Sequence, residues 1–195
     1  APATAEEPVR FIVGSDVYSD SNNPETVRET RRTFAKMASH AVELDPLFVA
    51  LGGDLAHAGS DPGSVSLWFD FLELWQENMV TETGRMIPMV IAIGNNEIEG
   101  NFGASPEDLV LINNLFSFPK EQWSATSFNH YGVLDFGDYL SLFILNTDHS
   151  NRMEGAQTNW LRNQLNNRRG VDHVFPVYHV SGWPTYRTFR GIPED

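Results

Sequence analysis

Short apolar runs alternate with longer segments of helical periodicity along the first half of the chain. The runs at 9–13, 48–51 and 86–93 have the length and composition of β-strands. The run at 48–51 contains no polar residue, which is typical of a strand buried on both faces. The segments 24–44 and 65–83 repeat apolar residues at helical spacing. This order predicts a mixed α/β fold in which helices cover a parallel sheet.

The second half of the chain has a different pattern. Two apolar runs, at 131–136 and 139–145, are joined through Gly137-Asp138, which predicts an antiparallel hairpin. Three further elements complete the prediction: a short helix over 105–116, a helix over 155–169 with Trp160, Leu161 and Leu165 facing inward, and a strand over 174–177. We interpret the histidines without motif context as structural or loop residues: His40, His130 and His173.

Each strand of the first half ends in the same pattern, an apolar run, then glycine, then an acidic or amide side chain. The carboxyl ends of parallel strands meet at one edge of a sheet, which is where open α/β sheets place their ligands. We therefore expect these side chains to lie close together. The three stretches are Gly14-Ser15-Asp16, Gly52-Gly53-Asp54 and Gly94-Asn95-Asn96-Glu97.

The candidate ligands at this edge are oxygen and imidazole donors, which suit Zn²⁺, Mn²⁺ or Fe better than a soft metal. An aspartate on a central strand can bridge two cations, and two cations about 3.5–4 Å apart can clamp a phosphoryl group. The alternative for Asp54 and His57 is a helix cap and a solvated loop residue. The full set is Asp16, Tyr18, Asp54, His57, Asn95, Asn96 and His179.

Composition narrows the class of partner. The chain has 13 basic and 26 acidic residues, a formal charge of −13, which argues against a nucleic-acid backbone or an anionic membrane surface. A phosphate substrate remains compatible, because bound cations reverse the local sign of the charge. The absence of cysteine excludes disulfides and thiolate metal sites. No apolar run approaches the ~18 residues of a membrane span.

The beginning of the chain is polar and proline-containing. Residues 1–8 are similar to the leader that remains after a signal peptide is removed, with a chain boundary as the alternative. We expect a flexible leader over 1–8, a catalytic domain over 9–195, and an exported protein, periplasmic or secreted.

The order of these motifs resembles the calcineurin-like metallophosphoesterase superfamily, and within it the purple acid phosphatases. That superfamily has an aspartate motif, a GD motif, GNH[DE], a lone histidine and a final GHxH. The resemblance covers about residues 9 to 187 and implies a four-layer αββα sandwich that lacks its C-terminal strands. The matching positions are Asp16, Gly53-Asp54, Gly94-Asn95-Asn96-Glu97, His179 with Pro184, and the hairpin at 131–139.

The resemblance implies two metal ions, Fe, Mn or Zn. Asp16 would bind the first ion, Asp54 would bridge both, and Asn95 and His179 would bind the second. The implied function is hydrolysis of a small-molecule phosphate ester, as in acid phosphatases, with a metal-bound hydroxide attacking phosphorus in line.

Three further residues take roles from the resemblance or from their place at a strand end. His57 stands where the purple acid phosphatases have a metal-binding tyrosine. Tyr18 stands in the place of a histidine, as a ligand or as a packing residue. His149 follows the strand at 139–145, and we expect it at the pocket rim as a substrate contact.

Two departures from the family pattern leave catalysis open. Asn96 replaces the GNH[DE] histidine; it can contact phosphate as the candidate catalytic residue, but it cannot carry a proton near neutral pH. Loss of general-acid help costs about 10²–10⁴-fold in rate. No GHxH follows, so we expect a missing C-terminal segment or a partner chain to complete the site. The alternative is a degenerate member that binds a ligand or protein without turnover.

Overall fold

The computed structural model of the chain describes residues 9–18, 23–98, 102–116 and 130–182. The α-helices in these ranges are α1 (Pro24–Glu43), α2 (Val65–Asn78), α3 (Val110–Leu115) and α4 (Thr158–Asn167). The strands are β1 (Phe11–Gly14), β2 (Phe48–Leu51), β3 (Met89–Ile91), β4 (Gly132–Phe136), β5 (Leu140–Ile144) and β6 (His173–Val177). No helix in the described ranges is long and apolar enough to cross a membrane.

The first sheet contains the strands of the first half in the order β1-β2-β3. Both pairs are parallel, with Phe11 opposite Phe48 and Leu51 opposite Ile91. All four residues of β2 are buried, as expected for a central strand covered on both faces. The parallel sheet predicted from the apolar runs is confirmed.

The second sheet has the order β4-β5-β6. The hairpin predicted through Gly137 is confirmed as the antiparallel pair β4–β5, and β6 adds parallel to β5. Four of the five residues of β6 are exposed, and Pro176 lies within it. A proline without an N–H is tolerated in a strand at the edge of a sheet. The mixed α/β class is therefore confirmed.

The side chains of β2 contribute alternately to two cores. Val49 and Leu51 pack in one core with buried aromatic residues of α1 and α2, including Phe34 and Trp68. Phe48 and Ala50 pack in another, shared with β5 through Leu140, Leu142 and Ile144. A third cluster joins Val133, Phe143 and Leu145 to Trp160 and Leu161 of α4. Because successive strand residues face opposite sides, β2 joins the helical face of one sheet to the inner face of the other.

Several predicted boundaries are wrong for local reasons. α2 ends at Asn78 rather than at 83, because the chain turns there and Val80 pairs with Met86. α4 begins at Thr158 rather than at 155, after an irregular turn in which Glu154 and Gly155 have non-helical backbone angles and Gly155 has a φ of 84°. Leu165, expected to face inward, is 42% exposed. The predicted leader at 1–8 and Pro184 lie outside the described residues.

Candidate metal and phosphate site

The candidate ligands follow the carboxyl ends of strands, but these strands do not all belong to one sheet. Asp16 follows β1, Asp54 follows β2 and Asn95 follows β3, whereas His179, expected at the same sheet edge, follows β6 of the second sheet. Asp16 N donates to the carbonyl oxygen of Gly53 at 3.2 Å, which joins the first two of these loops. The site therefore lies where the two sheets meet.

The backbone at these positions is unusual. Among the described non-glycine residues, Asp16, Asp54 and His57 have φ values of 52°, 53° and 49°. This left-handed region costs a non-glycine residue about 1–3 kcal/mol and persists where the surrounding structure enforces it. Three candidate ligands in this conformation indicate that their direction is determined by the fold.

Glu97 holds the strained backbone of Asp54. Its carboxylate accepts hydrogen bonds from Asp54 N at 2.9 Å, from Leu55 N at 2.8 Å and from Gly94 N at 2.7 Å. Complete burial raises the pKa of Glu97, the nearby Asp54 carboxylate acts in the same direction, and the three N–H donors oppose the shift. Glu97 thus ties the loop after β2 to the loop after β3.

These two loops approach each other so closely that only glycine fits. A Cβ on Gly53, whose φ is 100°, would lie 2.5 Å from Gly94 N. A Cβ on Gly94 would lie 2.3 Å from Asp54 Oδ1. The glycines that the sequence places before Asp54 and Asn95 therefore allow the backbones to touch.

Asn96 engages both oxygens of Asp54. Its backbone N–H donates to Oδ1 at 2.9 Å and its side-chain Nδ2 donates to Oδ2 at 2.8 Å. The same Nδ2 lies 3.3 Å from Nδ1 of His57. Asp54 is only 5% exposed, so these bonds replace much of its hydration and fix its orientation.

His179 connects the second sheet to this group. Its Nδ1 lies 2.9 Å from the carbonyl oxygen of Gly52, which can only accept, so Nδ1 carries a proton. Nε2 then faces two oxygen atoms, Asn95 Oδ1 at 3.1 Å and Asp54 Oδ1 at 3.5 Å. A backbone bond at one ring nitrogen is how proteins orient the other nitrogen toward a metal.

The two distances from His179 Nε2, 3.1 Å to Asn95 Oδ1 and 3.5 Å to Asp54 Oδ1, are close to the separation between two ligands of one metal ion. Ligands about 2.0–2.2 Å from a tetrahedral ion lie roughly 3.3–3.6 Å from each other. In the described part of the chain, no three His, Asp or Glu side chains are grouped to hold a metal ion. The third donor is instead the amide oxygen of Asn95, an acceptable ligand for a hard or borderline cation.

A model of the calcineurin-like phosphoesterase family matches residues 9–193. The chain belongs to the calcineurin-like phosphoesterase family. The search among curated proteins gave no match for this phosphoesterase. Family membership indicates metal-dependent phosphoester hydrolysis, and the family generally uses divalent metal ions.

The remaining candidate ligands of the phosphoesterase lie in different surroundings. Tyr18 is 5% exposed in the core of the first sheet, with its ring 6.3 Å from that of Phe71. This position favours the packing role left open from the sequence. His57 is exposed beside Asn96, and Asp16 is exposed with one carboxylate oxygen accepting from Ser15 Oγ at 2.6 Å.

His149 is completely buried, so its predicted place at the pocket rim is wrong. Its ring lies 5.0 Å from that of Phe102 and 5.4 Å from that of His179. Nδ1 lies 3.2 Å from Thr147 Oγ1, whereas the buried Nε2 has no hydrogen-bond partner within the part of the chain that the structure describes. Burial, with a smaller contribution from His179, lowers the pKa of His149 to about 4. The ring is therefore neutral near pH 7.

The sequence interpretation missed the environment of His130. His130 lies in a loop, as expected, but it is buried there in a polar network with Asn113 and Ser150. Burial lowers its pKa to about 4, opposed by the charge of Glu107. Its partners lie 20 and 17 positions away, so no local pattern could mark it.

Proposed function

We propose that the phosphoesterase hydrolyses small-molecule phosphate esters with two bound metal ions, Fe, Mn or Zn, in the manner of the purple acid phosphatases. The observation that carries this proposal is the convergence of Asp54 Oδ1, Asn95 Oδ1 and His179 Nε2. A cation between these three atoms would accept a lone pair from the imidazole nitrogen and from both oxygens. A cation suits the family, and the donor spacing supports it.

The roles proposed for the ligands follow from their positions. Asp54, on the central strand, would face both ions, with Asp16 on the first ion and Asn95 and His179 on the second. Bound ions would stabilise the charge of the phosphoryl group and lower the pKa of a water molecule. Glu97 holds the backbone of Asp54 in place for this task, and the Gly52 carbonyl orients His179.

Two residues are proposed to meet the substrate. Asn96, whose amide already donates to Asp54 at 2.8 Å, would donate to a phosphate oxygen but would transfer no proton. His149 remains a proposed substrate contact through its Nε2, which is buried and has no hydrogen-bond partner among the described residues. His57 and Tyr18 remain proposed ligands, with packing the alternative for Tyr18.

A second candidate function is binding without turnover. The observation that favours it is Asn96, whose side chain stands beside Asp54 and His57 without a group that can transfer a proton. In this case the phosphoesterase would hold a phosphate-bearing or protein ligand. Export to the periplasm or outside, and completion of the site by a further segment or a partner chain, also remain predictions.

The test combines metal content with hydrolysis of p-nitrophenyl phosphate. Protein purified without chelators should contain close to two ions per chain and hydrolyse the ester. Asn96→His should raise turnover by about 10²–10⁴-fold if a proton donor is all that is missing. Asn114→His, on the exposed face of α3, is the control and should change nothing.

The outcomes separate the two candidates. Bound metal with no turnover, both in the native chain and in Asn96→His, would favour the binding function. A chain that takes up no Mn²⁺, Zn²⁺ or Fe and hydrolyses no ester would contradict the proposed hydrolysis.

A further inference from the structure

His130 lies in a hydrogen-bond chain whose donors and acceptors all have fixed roles. Asn113 Nδ2 donates to the carbonyl oxygen of Pro106 at 2.8 Å, so Asn113 presents Oδ1 to His130 Nε2 at 2.8 Å. A carbonyl can only accept, which fixes the orientation of the amide. His130 Nε2 therefore carries the proton.

The other end of the chain is fixed in the same way. Asn146 Oδ1 accepts from the backbone N–H groups of His149 and Ser150, at 2.9 and 3.1 Å. Asn146 Nδ2 is thus left to donate to Ser150 Oγ at 2.7 Å. Ser150 in turn donates to His130 Nδ1 at 2.8 Å, so the neutral imidazole satisfies both of its neighbours.

This chain of bonds controls the loop between β5 and α4. Asn146 is completely buried, and Gln157 closes the loop by bonding to both its N–H and its carbonyl, at 2.8 and 2.9 Å. Within this loop, the His149 ring lies 5.4 Å from the ring of His179. The position of His149 relative to His179 therefore depends on where the loop is anchored.

The anchor is α3, which also contacts the loop that carries Asp54 and His57. Ser60, at the end of that loop, accepts from Leu111 N at 3.1 Å through its Oγ. Its backbone carbonyl accepts from the same N–H at 3.3 Å. α3 thus bonds to the loop after β2 near its first turn and, through Asn113, to the loop after β5.

We propose that His130 is a positioning residue that joins α3 to the loop after β5 and thereby fixes His149 against His179. Among the described residues, the His130 ring bonds to Asn113 and Ser150, and it acts on His149 through Ser150 and Asn146. The inference rests on the proposed function for the role of His179, whereas the hydrogen-bond chain stands without it.

The test uses NMR of the full chain labelled with ¹⁵N and ¹³C in histidine. The imidazole nitrogens of His130 should report a proton on Nε2 and a hydrogen-bonded, unprotonated Nδ1 at pH 7. Ser150→Ala and Asn113→Leu each remove one bond to His130 and should shift the ring resonances of His149. A proton on Nδ1, or His149 resonances unchanged in both variants, would overturn the proposal.

Matched variants distinguish positioning from general damage. Asn114→Leu changes the neighbouring exposed amide of α3, and His173→Phe removes an exposed histidine; neither should shift His149. Ser150→Thr keeps the hydroxyl that donates to His130 and should retain most of the native His149 signal. If Asn113→Leu does not fold, Ser150→Ala and Ser150→Thr still decide the result.

A titration with Zn²⁺ separates this inference from the proposed function. We expect Ser150→Ala to weaken Zn²⁺ binding by about 10-fold. This is the lower end of the contribution that residues supporting a metal ligand make to metal affinity. If Zn²⁺ does not bind but His149 responds to the variants, the positioning role stands and the proposed function fails. If Zn²⁺ binds equally to all variants and His149 does not respond, the positioning role fails and the proposed function stands.

Discussion

The two sides of the candidate site are built from different kinds of residue. On the side of the first sheet, the residues that hold Asp54 are themselves motif residues. Glu97 accepts three backbone N–H groups, Asn96 bonds to both carboxylate oxygens, and Gly94 leaves room for them. The motif after β3 therefore acts mainly as a support for the motif after β2.

On the side of the second sheet, the supporting residues belong to no motif. His149 is held through Asn146, Ser150, His130 and Asn113, and its buried Nε2 has no hydrogen-bond partner among the described residues. On the first side, by contrast, both oxygens of the Asp54 carboxylate are hydrogen-bonded. Under the proposed function, the first side supplies Asp54 and Asn95 to the metal ions, and the second side supplies His179 as a ligand and His149 as a substrate contact.

The largest effect is expected for Asp54→Asn, which tests whether the first side holds metal. Replacing a carboxylate that faces Asn95 and His179 removes one charge from the ligand set. Residues that hydrogen-bond to a metal ligand typically contribute about 10–100-fold to metal affinity. Because Asp54 is itself a proposed ligand, we expect its replacement to lower metal affinity by about 100-fold or more. Isothermal titration with Mn²⁺ measures this.

The control for this substitution is Asp45→Asn. Asp45 also has a positive φ, 45°, and lies outside the site in a surface pair with Arg85 at 2.7 Å. Metal affinity should be unchanged in this variant. Equal affinity in Asp54→Asn and the native chain would remove the first side from the metal site.

Gly94→Ala tests how tightly the first side is packed. The added Cβ would lie 2.3 Å from Asp54 Oδ1 and 2.5 Å from Asp54 N, so the two loops must separate. Overpacking of this kind costs about 1–3 kcal/mol of the free energy of unfolding, measured by urea denaturation. Gly170→Ala, where a Cβ meets no atom within 4 Å and φ is not positive, should leave stability nearly unchanged. Similar values for the two variants would show that the loops adapt easily.

Glu97→Gln asks whether the support of Asp54 depends on the carboxylate. An amide NH₂ would face a backbone N–H that now donates to oxygen, leaving a buried donor unpaired. We expect a loss of about 1–2 kcal/mol in the free energy of unfolding. Glu77→Gln is the control, because Glu77 is exposed and lies 3.9 Å from its ion partner Arg31. A Glu97→Gln protein as stable as this control would show that the three N–H bonds contribute little.

The comparison also explains what the sequence could predict. The sequence predicted the parallel sheet from the apolar run of β2 and the glycines that follow it. The repeated strand-end pattern predicted that Asp54, Asn95 and Asn96 would lie close together. Both predictions depend on local composition and strand geometry, which one sequence shows. The place of His149 was predicted wrongly as a rim position. Its burial depends on the segment around Phe102, whose ring lies 5.0 Å from that of His149 and whose neighbour Ala104 donates its N–H to the His149 carbonyl at 2.9 Å. Long-range packing of this kind leaves no periodic signal in one sequence.

The smallest effect concerns acid and the second sheet. Arg168 of α4 donates to both oxygens of Asp135 in β4, each at 2.7 Å, and lowers the pKa of that carboxyl below its ordinary value of 3.8. A lowered pKa in the folded state means that this stabilisation is complete above about pH 4 and is lost as the pH falls through the folded value. Asp135 is partly exposed, so the contribution is about 1 kcal/mol or less.

Asp135→Asn should therefore be less stable than the native chain at pH 7, and the difference should shrink below about pH 4. Asp138→Asn, in the exposed hairpin turn, serves as the control, and its stability relative to the native chain should not change below about pH 4.

Hydrogen exchange shows in which sheet the stability is lost. We expect the amides of β4 and α4 to lose protection against exchange at low pH before those of β2, because the first sheet has no ion pair of this kind among its described residues. Simultaneous loss of protection in both sheets would show that the two sides of the site open as one unit, and the contrast between them would then be confined to the ligand contacts.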